Sequence, residues 1–181
     1  MSRIVNFTLN NRKMRTISLI LLWALFAGCQ SMPSGKSGKV ITGAERLEEY
    51  LPLIKGKTVA VVANQTSMVG RTHLVDTLTS LDVEIKTIFA PEHGFRDMAD
   101  AGKTIEDNRD TSTGIRIVSI YSGNKKPLPQ DLDSIDILLF DIQDVGTRFY
   151  TYLTSMCYVM EACAENSIPV IILDRPNPNG F

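Results

Sequence analysis

Five short apolar segments, each followed by polar residues, recur along the sequence from about residue 58 onward. Most of them are continuously apolar and rich in β-branched residues, which is typical of strands buried on both faces of a parallel sheet. The segments are residues 58–62, 83–89, 115–120, 135–140 and 169–173. Strands of this kind, separated by helices and joined by right-handed crossovers, form layered folds. The sequence therefore predicts an α/β fold, a Rossmann-like three-layer parallel sheet with helices on both faces.

Three stretches show the apolar spacing of amphipathic helices. The first begins with a capping box at Thr42 and Glu45, and the others span residues 73–81 and 149–165. The aromatic residues at the start of the third helix are expected to lie mainly in the core.

The first 28 residues have the pattern of a bacterial secretory signal. A basic leader without acidic residues precedes an apolar run, residues 17–27, that is too short to cross a bilayer as a helix. Cys29 follows Ala27 and Gly28, which resembles the signal of bacterial lipoproteins. We therefore expect removal of residues 1–28 and a lipid on Cys29, which would anchor an exported protein to a membrane of the periplasm or cell envelope. The alternative is an ordinary cleaved signal with an incidental cysteine.

The rest of the chain is predicted to contain a tether and one folded domain. Residues 29–40 are rich in Ser, Gly and Lys, as flexible linkers are. The domain is expected at residues 41–181. Because the sequence stops in a polar loop after its last strand, we expect it to be a fragment of a longer protein.

Charge, motifs and cysteine content argue against several classes of protein. The leader holds four of the 19 basic residues and none of the 20 acidic residues, which leaves residues 29–181 with a net charge of −5. No basic stripe indicates nucleic-acid binding, and no GxGxxG, GxxxxGK[ST] or GxSxG motif indicates a nucleotide site or a serine hydrolase. Cys157 and Cys163 are predicted to be buried in one helix, too far apart for a disulfide. No cluster of cysteines and histidines indicates a metal site.

Polar side chains follow every predicted strand. Ligands of open α/β sheets bind outside the carboxyl ends of the strands, so these side chains are expected to converge at one edge. They are Asn64, Gln65, Glu92, His93, Tyr121, Asp141, Gln143, Asp144, Asp174, Arg175 and Asn177. The sequence therefore places a candidate site at this edge.

Glu92 and His93 lie in a loop that Pro91 and Gly94 shape. A carboxyl group held there acts as a general acid if it is partly desolvated, or as a base if it is not. His93 could share a proton, orient a substrate hydroxyl or bind a metal. The alternative, equally compatible with the sequence, is that the pair caps the next segment.

The segment from Asp141 to Arg148 offers carboxylates and an amide, which suit sugar hydroxyls because these need both donors and acceptors. In an extended chain Asp141 and Gln143 project to one side and Asp144 to the other. Arg148 could clamp a carboxylate with two hydrogen bonds. Alternatively, the aspartates cap the following helix, which is the favoured role for Asp144, and Arg148 pairs with one of them.

Four motifs in order resemble those of the NamZ-type exo-β-N-acetylmuramidases, glycoside hydrolases of peptidoglycan recycling. The motifs are Asn64-Gln65-Thr66, Pro91 to Arg96, Asp141 to Gly146 with Arg148 to Tyr152, and Leu173 to Pro178. The resemblance runs from about Ile41 to the last residue. It implies that residues 41–181 are a partial Rossmann-like N-terminal catalytic domain, without the smaller C-terminal domain that helps to form the family's cleft.

The resemblance also implies an activity, the release of terminal β-1,4-linked N-acetylmuramic acid from the non-reducing end of peptidoglycan fragments, without a metal or organic cofactor. Glu92 matches the best candidate for the catalytic acid/base. The implied substrate contacts are Asn64, His93, Gln143, Asp144, Arg148, Asp174 and Asn177. A sugar-binding lipoprotein without turnover and an inert truncated chain are the alternatives, and the sequence predicts no oligomeric state.

Overall fold

The computed structural model describes residues 40–96, 108–121 and 123–179. The predicted signal segment, Cys29 and all but the last residue of the predicted tether therefore lie outside the described residues. Within those three ranges, no helix has the length and apolar character needed to cross a membrane.

Helices and strands follow one another in the order that the apolar pattern predicts. In chain order they are α1 (Leu47–Ile54), β1 (Thr58–Ala63), β2 (Met68–Val69), β3 (Thr72–His73), α2 (Leu74–Ser80), β4 (Glu84–Ala90), β5 (Asn108–Arg109), β6 (Arg116–Ser119), β7 (Ile137–Asp141), α3 (Tyr152–Glu165) and β8 (Val170–Ile172). Short 3₁₀ turns cover Gly43–Glu45 and Pro129–Asp131. The first of these carries the predicted capping bond, from the Thr42 N–H to the Glu45 carboxylate across 2.9 Å. The capping box therefore begins a 3₁₀ turn and not the first helix as predicted, because that helix starts only at Leu47.

Six strands form one sheet in the order β5-β6-β4-β1-β7-β8. The pairs β1–β4, β1–β7, β4–β6 and β7–β8 are parallel, which confirms the predicted parallel sheet. The apolar pattern does not predict β5, which pairs antiparallel with β6, or the hairpin of β2 and β3. Each of these three strands has two residues, and two residues are too few to show a hydrophobic period.

The side chains of β1 alternate between two cores, one on each face of the sheet. Val59, Val61 and Ala63 pack in the core that contains apolar residues of α1 and α2. Ala60 and Val62 pack in the core that contains apolar residues of α3. All five side chains are fully buried. The sheet is thus covered by helices on both faces, as predicted, which explains why β1 is continuously apolar.

The third helix begins at Tyr152, three residues later than predicted. Gly146 has a positive φ of 72°, and the Tyr150 N–H donates to the Thr147 carbonyl across 3.0 Å in a turn. This turn keeps Phe149 and Tyr150 out of the helix, and they are 83% and 48% exposed. The predicted burial of the aromatic residues is therefore wrong for these two.

The two cysteines of α3 have different surroundings. Cys163 is buried, as predicted, and burial raises the pKa of its thiol to about 11. Cys157 is exposed, so its predicted burial is wrong. Residues six positions apart on a helix lie on different faces, and only the face of Cys163 meets the sheet.

Candidate active site

Glu92 lies just beyond the carboxyl end of β4, in a tight turn. The Gly94 N–H donates to the Pro91 carbonyl across 3.1 Å. Gly94 and His93 have positive φ values of 85° and 72°. Glycine adopts this conformation without strain, whereas His93 needs support from its surroundings. The turn leaves the side chains of Glu92 and His93 partly exposed at the edge of the sheet.

Two hydroxyl groups donate to the Glu92 carboxylate, one to each oxygen. The Tyr121 phenol donates to Oε1 across 2.9 Å, and Thr151 Oγ1 donates to Oε2 across 2.8 Å. Tyr121 lies beyond the end of β6 and Thr151 directly precedes α3, so three separate segments meet at this carboxylate. The hydrogen bond with Glu92 raises the pKa of Tyr121, which keeps the phenol protonated as a donor.

Asn64 follows β1 and shapes the loop there. It is fully buried, and its N–H donates to Ser67 Oγ across 3.0 Å. Its Oδ1 accepts from the N–H and the hydroxyl of Thr66, across 2.9 and 2.6 Å. The Thr66 hydroxyl in turn accepts from the Gln143 N–H across 3.2 Å. The loops after β1 and β7, which are neighbouring strands, are therefore joined.

Tyr152, the first residue of α3, lies close enough to both Asn64 and Glu92 to interact with each of them. Burial raises the pKa of the Tyr152 phenol, the Asn64 side chain lowers it through a hydrogen-bond interaction, and the charge of Glu92 raises it. Asn64 Nδ2 makes no hydrogen bond of standard geometry with another described residue. A buried donor without such a bond is uncommon in proteins. This one lies in the loop after β1, next to Tyr152.

His73 supports the same loop. Its Nδ1 accepts from the Val75 N–H across 3.2 Å, so its Nε2 carries the proton and donates to the Asn64 carbonyl across 2.9 Å. Burial lowers the pKa of His73. The ring is therefore neutral at pH 7, and its role is structural.

The residues that follow the Glu92 turn anchor it to the rest of the domain. The Phe95 ring is 5% exposed and meets His73 edge-on, with the ring centroids 4.8 Å apart. Arg96 donates two hydrogen bonds to Asp76 and two to Asp110, at 2.6 to 2.9 Å. The bonds with Arg96 lower the pKa of Asp76. The last residue of the Pro91–Arg96 motif is thus a structural anchor.

Gln143 and Asp144 lie in a second group of polar residues, where the loops after β7 and β8 meet. Gln143 Nε2 donates to the carbonyls of Asp144 and Pro176, across 2.8 and 2.9 Å. Asp144 Oδ2 accepts from the Gly146 N–H across 2.9 Å. Asp144 therefore closes a turn two residues ahead, and the favoured prediction that it caps the following helix is wrong, because that helix begins only at Tyr152.

Asn177 completes this second group. Asn177 Nδ2 lies close against Gly146, so a side chain at position 146 would displace it from this position. Asn177 Oδ1 accepts from the Asn179 N–H across 2.9 Å, and Asn179 Nδ2 donates to the Val145 carbonyl across 3.2 Å. These contacts hold the two loops together while Asn177 stays exposed.

Asp141 and Arg175 form a buried ion pair, with side chains 0% and 7% exposed. Arg175 Nε donates to Oδ1 across 2.5 Å and Nη2 donates to Oδ2 across 2.9 Å. Nη2 also donates to the Met68 carbonyl across 2.9 Å. Burial raises the pKa of Asp141, and Arg175 lowers it. The predictions that Asp141 faces sugar hydroxyls or caps a helix are therefore wrong, because both of its oxygens are used by Arg175.

Asp174 and Arg148 are the two remaining predicted substrate contacts. Asp174 is exposed, and it lines cavities of about 420 and 170 Å³ beside β8, neither of which is lined by Glu92. Arg148 is also exposed, and it forms no ion pair with Asp141 or Asp144 in the described structure. The alternative prediction that Arg148 pairs with one of these aspartates is therefore wrong.

The group around Glu92 combines one carboxylate with three hydroxyls and an amide, from Tyr121, Thr151, Tyr152 and Asn64. This set can move a proton at Glu92 and bind hydroxyl or carbonyl groups. No group of three or more potential metal ligands occurs among the residues described. The sequence pattern assigned no role to Thr151, because the predicted helix began at residue 149 and enclosed it, whereas the observed helix begins at Tyr152.

A family model matches most of the chain. The model of "Exo-beta-N-acetylmuramidase NamZ, N-terminal" matches residues 59–181. The chain belongs to this family. Its relatives include the peptidoglycan beta-N-acetylmuramidase NamZ of Bacillus subtilis (strain 168), which is 43% identical over 152 residues. The alignment covers 81% of this chain and 36% of that relative. The family predicted from the four motifs is therefore confirmed.

Two crystal structures of DUF1343 family proteins from Bacteroides fragilis NCTC 9343 have a similar fold. One has a TM-score of 0.67 and 46% identity, covering 79% of this chain and 36% of that protein. The other has a TM-score of 0.68 and 38% identity, covering 76% of this chain and 35% of that protein. The chain thus spans about a third of the length of these NamZ-like relatives.

Proposed function

We propose that this chain contributes the catalytic carboxylate of an exo-acting β-N-acetylmuramidase. The proposed reaction hydrolyses the β-1,4 bond that joins a terminal N-acetylmuramic acid, at the non-reducing end, to the next sugar of a peptidoglycan fragment. The observation that carries the proposal is the Glu92 carboxylate at the carboxyl edge of the sheet, between two hydroxyl donors and within the region that the family model matches. The B. subtilis relative is named a peptidoglycan beta-N-acetylmuramidase.

In this proposal Glu92 is the acid/base. Glu92 is partly exposed at the edge of the sheet, where a substrate can reach it. A carboxyl group at the scissile bond can give a proton to the glycosidic oxygen or take one from the attacking water.

The predicted substrate contacts have different degrees of support. Asn64 lies beside the Glu92 group and has a buried amide donor, and His93 is next to Glu92 in the same turn. Gln143, Asp144 and Asn177 lie together where two strand-end loops meet. The proposal for the other two predicted contacts, at positions 148 and 174, rests on the family motifs alone.

We also propose that the protein is exported and held at a membrane by lipid on Cys29. The support comes from the sequence, which has a basic leader, the apolar run at residues 17–27 and the small residues before Cys29. Peptidoglycan lies outside the cytoplasmic membrane, so export would bring the enzyme to its substrate. The location proposed is the periplasm or the cell envelope.

Hydrolysis of 4-nitrophenyl β-N-acetylmuramide tests the proposed activity. Since the chain spans 36% of the B. subtilis relative, the assay uses the chain itself and a chimera in which the chain replaces the matching region of that relative. We expect Glu92→Gln to lower kcat/KM about 10²- to 10⁴-fold in the active protein, because it removes the group that transfers the proton. The far-ultraviolet circular dichroism should not change.

Glu84→Gln is the matched control, because Glu84 is an exposed carboxylate at the other end of β4, the strand that precedes Glu92. It should leave the rate unchanged. An active chimera that keeps its rate after Glu92→Gln would rule out Glu92 as the catalyst. A chimera that binds N-acetylmuramic acid without hydrolysing the substrate would favour the sugar-binding alternative.

A further inference from the structure

Thr151 occupies the N-cap position of α3 but does not cap the helix with its side chain. A threonine at this position commonly accepts a hydrogen bond from an N–H group of the first helical turn. Here the side chain makes no capping hydrogen bond, and its hydroxyl donates to Glu92 Oε2 across 2.8 Å. The helix still starts here, because the Thr151 carbonyl accepts from the Ser155 N–H across 2.9 Å. The Thr151 side chain therefore serves the carboxylate instead of its own helix.

Tyr121 supplies the second donor from a different part of the fold. It is 29 positions from Glu92 in the sequence, whereas Thr151 is 59 positions away. Each of these hydroxyls has a single proton, and each directs it to a different oxygen of Glu92. Neither contact follows from local chain geometry, so only the folded sheet brings the three residues together.

Two donors at two oxygens have a chemical consequence for Glu92. If one oxygen carried a proton, that oxygen would become a donor and one of the two hydrogen bonds would be weakened or lost, so the contacts favour the ionised form. The positive end of the α3 dipole lies at Thr151, beside Oε2, and also favours a negative charge. The two bonds further restrict rotation of the carboxylate about the Cγ–Cδ bond.

We propose that Tyr121 and Thr151 are positioning residues that hold Glu92 ionised and fix the plane of its carboxylate before substrate binds. The proposal rests on the proposed function of Glu92 and, of the two roles given there, assigns it that of the base, because an ionised carboxylate accepts a proton. Both hydroxyls act through Glu92, so each should influence the titration of that one carboxyl group.

Carbon-13 NMR of the full chain tests this proposal without any need for activity. The Glu92 carboxyl signal is assigned by its absence in Glu92→Gln. We expect its titration midpoint to move upward by roughly one pH unit in Tyr121→Phe and in Thr151→Val, and further in the double variant, because each substitution removes one donor to the charged form.

Two conservative variants serve as controls. Thr151→Ser keeps the hydroxyl and should keep the midpoint. Tyr158→Phe removes a phenol from the exposed side of α3 and should also leave the midpoint unchanged. If Thr151→Val does not fold, Tyr121→Phe alone decides. A folded Tyr121→Phe protein whose Glu92 midpoint does not move would overturn the proposal.

Kinetics of the chimera connect the proposal to catalysis. We expect Tyr121→Phe and Thr151→Val to lower kcat more than they change KM, and to move the acidic limb of kcat/KM to higher pH, with Thr151→Ser restoring both. Shifted NMR midpoints in an inactive chimera would support the positioning role and count only against the proposed function. An active chimera with unshifted midpoints and an unchanged pH profile would reject the positioning role and leave the function intact.

Discussion

At the scale of single residues, two carboxylates at the carboxyl ends of β4 and β7, the strands on either side of β1, have opposite roles. Glu92 is partly exposed and accepts from neutral hydroxyls. Asp141 is fully buried and binds the guanidinium of Arg175. Both residues carry a carboxylate close to the carboxyl end of a strand. Burial and the charge of the partner therefore decide which carboxylate can meet a ligand.

The buried pair gives a prediction about stability. We expect Asp141→Asn to lower the free energy of unfolding by about 3–5 kcal/mol, because it leaves the Arg175 charge buried without its carboxylate. Urea unfolding at pH 7, followed by circular dichroism, measures the change.

An exposed ion pair provides the control for this measurement. The side chains of Arg46 and Glu49 are 52% and 60% exposed, and Glu49→Gln should cost less than about 1 kcal/mol. Equal and small effects of Asp141→Asn and Glu49→Gln would contradict the structural role of the buried pair.

At the scale of elements, the site is positioned by turns and strand ends that contact one another through backbone atoms. The 3₁₀ turn Gly43–Glu45 lies against the segment after β8, where the Gly43 N–H donates to the Asp174 carbonyl across 2.7 Å. This contact holds the first described turn of the fold against its last strand. It also fixes the backbone of Asp174, the start of the loop that carries Asn177.

Gly43→Ala tests this contact. A Cβ atom at residue 43 would lie 2.6 Å from the Asp174 nitrogen and 2.7 Å from the Leu173 carbonyl carbon. Both are backbone atoms, so we expect overpacking to cost about 1–3 kcal/mol in thermal or urea unfolding. Gly123→Ala is the control, because a Cβ there meets nothing within 4 Å, and it should change stability by less than ~0.5 kcal/mol. Similar stabilities of the two variants would show that the turn does not dock as described.

At the scale of the whole molecule, the described residues from Val40 onward form one compact unit with a core on each face of its sheet. The parallel strands place the residues around Glu92 and the second polar group, which contains Gln143, Asp144 and Asn177, at the same edge of the sheet, where the strands have their carboxyl ends. The lipid proposed for Cys29 lies outside the described residues, so its test is chemical.

Cys29→Ala should move the protein from the membrane fraction to the soluble fraction and abolish labelling with a fatty-acid analogue, because anchoring depends on buried acyl chains. Cys157→Ala, which changes an exposed cysteine of α3, should leave both properties unchanged. Membrane association and labelling that survive Cys29→Ala would contradict lipidation at this residue.

Much of the fold and part of the site could be predicted from sequence, because the signals are local. The continuous apolar run of β1 follows from burial on both faces, and Pro91 with Gly94 marks the turn that carries Glu92. The start of α3 was predicted three residues too early because Phe149 and Tyr150 are apolar, and apolar character alone does not show that a turn holds them in solvent.

The sequence by itself determined the order of the main strands and helices, the parallel sheet and the edge at which polar residues collect, because hydrophobic patterns depend on near neighbours along the chain. Only the tertiary structure decided that Tyr121 and Thr151 serve Glu92 and that Arg175 neutralises Asp141. These partners are 29, 59 and 34 positions apart in the sequence. The physical reason is that a hydrogen bond or an ion pair depends on distances of about 3 Å in the folded chain, and those distances are set by how the strands pack, which a local pattern does not contain.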